Sequence, residues 1–200
     1  MRHLFIAGCL MISAQLPAQM VPVFPSTDTI TGQPPIDNFR REWYSKHLVA
    51  MSEPILPESP GETYRFLWLR SFHHPVSVRV VCIDNACELT GLRTDGQGGY
   101  APGSVVERKT RRLSDAEIVS FREMLARAQF WRPQPVDDRL GDDRIVLDGA
   151  QWILEGRRGQ TYHLRDVWSP EKSGPYAVFR ELCLHLVRLS GLAVRQDDIY

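Results

Sequence analysis

The sequence predicts an α+β fold: a mainly antiparallel sheet of about five or six strands, two main helices on one face, and an extra N-terminal docking helix. Three observations predict it. Apolar residues recur at helical spacing in three segments, and six further segments read as strands, with clear alternation at Val76, Val78, Val80 and Cys82. Their order along the chain is helix, four strands, helix, two strands, helix. Neighbouring strands are joined by short turns, which only antiparallel pairing allows.

The first twenty residues read MRHLFIAGCLMISAQLPAQM, a short positive start followed by an uncharged apolar run and then small residues. That is the order of a secretory signal, and the run is too short to span a bilayer. Residues 1–18 are therefore expected to be a cleaved signal peptide, with Ala14 as an alternative cleavage point. Ile6-Ala7-Gly8-Cys9 offers a lipoprotein alternative, but its cysteine arrives very early in the chain. Residues 19–36, rich in Pro, Ser and Thr and without periodicity, read as a disordered tether.

Asp37 is placed to cap a helix carrying Phe39, Trp43, Tyr44, His47, Leu48 and Met51. With its proline-rich exit it forms a docking helix and linker, 37–61. The α+β domain is expected over 62–191 and a C-terminal tail over 192–200. Its first strand spans 63–72. A hairpin follows at 76–82 and 86–93, turning on Asp84-Asn85. A glycine-rich loop, 94–103, leads to the charged strand Val105 to Arg112. Ser114 and Glu117 make a capping box for a helix that ends before Pro133. After an acidic loop come strands near 150–156 and 160–168. A last helix over about 175–190 has Gly191 where a C-terminal cap belongs.

Lys+Arg and Asp+Glu balance at 24 each, so the whole-chain charge gives no reason to expect a nucleic-acid partner. Cys82 and Cys87 are the sharpest chemical signal. With Asp84-Asn85 as the turn they face one another across the hairpin, about 4.5 Å apart at Cα, so a disulfide is expected in an oxidising compartment. Their spacing is not the C-x-x-C of redox or metal motifs. Cys183 falls on the apolar stripe of the last helix and reads as a buried thiol.

Adjacent His73 and His74 point to opposite faces of an extended chain and cannot readily share a metal. His163, Asp166 and Ser169 invite comparison with a triad, yet the odd spacing from 163 to 166 sends those two side chains opposite ways. The loop aspartates 137, 138, 142, 143 and 148 lack the ordered spacing of a calcium loop. Arg108, Lys109, Arg111 and Arg112 mark an edge strand guarded against pairing. The 94–103 loop lacks the Gly-Lys-Ser/Thr ending of a phosphate loop. No cofactor or metal is expected.

Several segments fall in a familiar order: Trp43-Tyr44-Ser45, Tyr64-Arg65-Phe66-Leu67-Trp68, Phe72-His73-His74-Pro75, Leu147-Asp148-Gly149-Ala150, and Tyr162-His163 before Trp168-Ser169-Pro170. Over about 37–191 the chain resembles an uncharacterised family of exported bacterial proteins, a domain of unknown function. The resemblance implies no activity or catalytic residue. The residues themselves support a non-enzymatic periplasmic or secreted domain that binds a protein or cell-envelope ligand. Tyr100, Trp168, His163 and Asp148 are the candidate binding residues. The alternatives are an envelope hydrolase using His163 with Asp148 or Asp166, a structural subunit, and an immunity-type inhibitor.

Overall fold

The computed structural model describes residues 23–133 and 149–200. The signal, Cys9 and the aspartates at 137, 138, 142, 143 and 148 lie outside them. The strands are β1 (Glu62–Arg70), β2 (Val76–Ile83), β3 (Ala86–Thr94), β4 (Val105–Arg112), β5 (Ala150–Arg158) and β6 (Thr161–Trp168). They form one antiparallel sheet in the order β4-β3-β2-β1-β5-β6. The helices are α1 (Asn38–Ala50), α2 (Asp115–Arg127) and α3 (Ala177–Ser190). The fold is α+β. Among the described residues no helix is long and apolar enough to cross a membrane.

Central β1 is buried from Thr63 to Arg70, because alternate side chains enter two separate cores. Tyr64, Phe66 and Trp68 join Trp152 and Leu154 of β5, Ile118, Phe121 and Leu125 of α2, and Phe179, Leu182 and Leu186 of α3. Leu67 and Leu69 turn the other way, into a second core with Ile153, Leu164, and Tyr44 and Leu48 of α1.

The residues read as a tether differ from that expectation. Val23, Phe24 and Ile36 are buried in the second core. They have no periodicity because an irregular strap, not a helix or strand, carries them. The strap also closes the β6 edge of the sheet. Tyr162 N–H donates to Thr29 Oγ1 at 2.6 Å, Thr29 Oγ1 donates to Tyr162 O at 2.9 Å, and Leu164 N–H donates to Asp28 Oδ2 at 3.3 Å. Over Tyr162 to Leu164, edge groups that could recruit another strand are thereby satisfied within the chain. The opposite edge is β4, with the arginines and lysine expected of a guarded edge.

The second core also holds charge. Arg65 and Glu155 are cross-strand neighbours, both with fully buried side chains. Arg65 Nε donates to Glu155 Oε1 at 2.8 Å, and Nη2 lies 2.7 Å from the same oxygen at an angle too bent for a second hydrogen bond. Nη1 donates to Pro54 O at 2.6 Å and lies 3.6 Å from Glu53, which also takes Arg79 Nε at 3.0 Å. Tyr162 Oη donates to the other Glu155 oxygen at 3.0 Å. Burial works against the Arg65 charge, but Glu155 and Glu53 outweigh it and hold the guanidinium's pKa above its ordinary value.

Helix ends follow their sequence signals. Ser114 and Glu117 form both bonds of the capping box, and Gly191 caps α3 with φ of 64°. α2 ends differently. Phe130 N–H reaches Leu125 O and Gln129 N–H reaches Ala126 O, a Schellman motif whose left-handed position, φ 49°, is filled by Gln129 instead of glycine. Arg165 caps the same end, donating to Ala128 O and Gln129 O. Gln129→Gly is expected to raise stability by up to about 1 kcal/mol, since a side chain there is strained. A urea midpoint below that of the parent would contradict this.

The tail after α3 is anchored. Leu192 is buried in the first core, and Trp152 Nε1 donates to Tyr200 O at 3.2 Å.

Candidate binding surface

The β2–β3 hairpin has the expected register, with Ile83 opposite Ala86 and Cys82 opposite Cys87. Asp84 takes the positive φ, 56°, that a tight turn needs. The two sulfurs are at bonding distance and the Cα atoms are 4.1 Å apart. Cys183 is buried, and its burial pushes the thiol's pKa well up.

His163 and Asp166 lie on opposite faces of β6. His163 is buried against the ring of Phe130, with centroids 5.1 Å apart. Its carboxylate partner is Asp28 of the strap, with Nδ1 to Oδ2 at 2.8 Å. Burial pushes Asp28 up, but its bonds to His163 and to the N–H groups of Ile30 and Thr31 hold the carboxyl below its ordinary range. Asp28 escaped sequence reasoning because a lone aspartate in an aperiodic segment carries no pattern.

Asp166 faces α1. It accepts from Tyr44 Oη at 2.9 Å and from Gln151 Nε2, with Arg40 Nη1 4.0 Å away. Burial raises its pKa to about 6 against those hydrogen bonds. The structure therefore does not bring His163 and Asp166 together, and Asp148 is outside the described residues. Trp168 is half-buried, its ring pressed against Gly149 so closely that a Cβ there would overlap it. It has no ring contact with Tyr100 among the described residues. No group of three or more His, Cys, Asp or Glu among them could hold a metal ion.

Tyr100 stands out. It is 58% exposed, yet its loop is pinned to the end of β1. Gly98 N–H donates to His73 O at 3.1 Å and Gly99 N–H to Ser71 O at 3.2 Å. Gly98 lies so near the Arg70 backbone that a Cβ would sit 2.6 Å from Arg70 N and O, which explains the glycine. Within the loop, Tyr100 N–H donates to Gln97 O at 2.9 Å.

Three more aromatics extend the surface from it. Phe72, 49% exposed, packs at a tilt against Tyr100 with centroids 6.0 Å apart. From α1, Trp43 Nε1 donates to Gly98 O at 2.8 Å, and Lys46 Nζ to Tyr100 O at 2.6 Å. Phe39, 76% exposed, lies 6.4 Å from the Trp43 ring. The helical stripe expected to be buried thus splits. Tyr44, His47, Leu48 and Met51 face inward, whereas Phe39 faces water. Burial, with Lys46 beside it, lowers His47 to about 4, so the ring is neutral at pH 7.

The outcome is a surface of four aromatic rings and one lysine, drawn from α1, the β1–β2 turn and the glycine loop. Such a surface presents large contact area at little ordering cost, because its backbone is already fixed. Phe72 was not legible as part of it, because its proximity to Tyr100 depends on how the glycine loop docks. No family model, curated protein or solved structure matches the chain.

Proposed function

We propose that the chain is an exported, non-enzymatic binding domain, and that it engages a protein partner in the cell envelope through Tyr100, Phe72, Trp43 and Phe39. The observation that carries this reading is the exposure of Tyr100 on a loop held in place by backbone hydrogen bonds on both sides. Binding residues sit on loops positioned by a rigid scaffold, and aromatic anchors dominate interface energies. Export rests on the N-terminal signal pattern, and the Cys82–Cys87 pair is compatible with an oxidising compartment. In this reading α1 is the docking helix, contributing Phe39 and Trp43 to the surface while Tyr44 and Leu48 seat it on the sheet.

The hydrolase alternative draws less support. His163 does have a carboxylate neighbour, but it is 2% exposed and packed on Phe130. An inhibitor of an envelope toxin and a self-assembling subunit are both forms of protein binding through this surface.

The test compares envelope extracts passed over the mature protein and over a Tyr100→Ala/Phe72→Ala variant. A partner held by the parent should be weakened at least about tenfold by the variant. Both residues are exposed, so the variant should unfold at the parent's urea midpoint. A partner retained equally by both proteins would overturn the assignment of the surface.

A further inference from the structure

A concave feature lies at the other end of β1, on the face covered by α2. It is a cleft of about 540 Å3, within the range that accommodates small molecules. Its walls include Glu62 and Tyr64 of β1, Arg122 of α2, Trp131 and Arg132 beyond it, and Arg158 of β5. Three guanidinium groups therefore meet one carboxylate. Glu62 is already engaged, accepting from Tyr64 Oη and lying 3.8 Å from Arg122 Nη2. Arg132 and Arg158 have no carboxylate partner among the described residues. Among the described residues this is a local excess of positive charge, in a chain of net charge zero.

The floor is aromatic and ordered. Trp131 Nε1 donates to Tyr64 Oη at 3.2 Å, and Tyr64 meets Phe121, Phe130 and Trp131 edge-on at 5.2, 6.0 and 5.8 Å. Arg158 is poised 4.8 Å over the Trp131 ring. Gln129, with its left-handed backbone, also lines the cleft. The larger groove beside the β2–β3 hairpin, about 700 Å3, lacks this bias. There Arg79 and Arg112 are matched by Glu58 and Glu88.

We propose that this cleft binds a small organic anion. A carboxylate or phosphate head is held by Arg132 and Arg158, and an apolar or aromatic body rests against Trp131, which Tyr64 holds from beneath. Guanidinium forks suit both heads, which share paired oxygens of similar spacing. The proposal is independent of the Tyr100 surface, which lies at the opposite end of β1.

The test is a titration of the mature protein with benzoate and with phenyl phosphate, followed by the Trp131 indole N–H resonance. Inorganic phosphate and benzyl alcohol serve as the head alone and the body alone, and the Trp43 indole as reference. At least one aromatic anion should shift the Trp131 signal saturably while Trp43 stays still, and each partial probe should bind more weakly. Arg132→Gln/Arg158→Gln should weaken binding about tenfold or more, as expected when charged hydrogen-bond partners are removed. Glu62→Gln should tighten it by removing a competing carboxylate, a change in sign that general damage to the cleft would not produce. Both arginines are exposed, so folding should be kept, as a parent-like urea midpoint would show. Absence of a saturable shift from both aromatic anions would overturn the proposal. So would unchanged affinity in the double arginine variant, or inorganic phosphate binding as tightly as phenyl phosphate.

Discussion

Replacing Arg65 with methionine is expected to lower the free energy of unfolding by about 3–5 kcal/mol, the cost of leaving a buried charge without its partner. Among the described residues, Glu155 would lose its only cation and Glu53 would keep only Arg79. The Pro54 carbonyl would also lose a donor. Arg65→Lys should restore little, because one ammonium cannot serve Glu155, Glu53 and Pro54 O in the geometry of the guanidinium fork. Arg127→Met is the control. Its pair with Glu181 is 3.3 Å long but more than half exposed on both sides, so its loss should cost no more than about 1 kcal/mol. Urea unfolding of the three variants, with the disulfide intact, reads the contrast directly. Equal midpoints for Arg65→Met and Arg127→Met would refute it.

The second large effect is a pH dependence of unusual sign. Burial raises Asp166 to about 6 from an ordinary 3.8, against the hydrogen bonds from Gln151 and Tyr44 and the charge of Arg40. The folded protein therefore holds this proton more tightly than the unfolded chain. Between about pH 4 and pH 6 the folded state binds more protons, so stability falls as pH rises and then levels off. Most aspartates paired with cations behave oppositely. Over that interval the loss amounts to roughly 3 kcal/mol at most. Asp166→Asn, neutral at every pH, should match the parent near pH 4 and exceed it increasingly up to pH 7. Parallel urea titrations of the two proteins across that range isolate this group from all others. Curves that stay parallel would show that Asp166 is not the source.

Much of the fold was legible because its signals are local. The Asp84-Asn85 turn dictates the hairpin register, and with it the facing of Cys82 and Cys87. Ser114 with Glu117 marks where α2 begins, and Gly191 where α3 stops. The second core was not legible. Its members from the strap, Val23, Phe24 and Ile36, follow no period, so composition alone suggested an unstructured linker. The Arg65–Glu155 pair joins positions 90 residues apart, and neither residue announces the other. The candidate surface was half visible. Tyr100 in a glycine-rich loop suggests exposure, but its meeting with Phe72 and Trp43 depends on the close approach of Gly98 to Arg70. Phe39 shows the limit of helical periodicity, which defines a stripe but not how much of its width the neighbouring sheet covers.

The strap over β6 also has a consequence for the order of assembly during synthesis. Asp28 and Thr29 are made early, and their seats on Tyr162, His163 and Leu164 follow 133–136 residues later. The ribosome therefore delivers the clasp long before the rim it fastens. Until Tyr162 and Leu164 have been made, Val23 and Phe24 lack those partners, and β6, once formed, stays an open edge until Asp28 and Thr29 reach it. Closing so long a loop costs little more in equilibrium entropy than closing one half its length, about 0.6 kcal/mol per doubling. It does, however, make the contact non-local and slow to form. A chain that folds from its N-terminus onward is consequently most prone to pair with a neighbour late in folding, when the sheet is nearly whole and one rim is still bare.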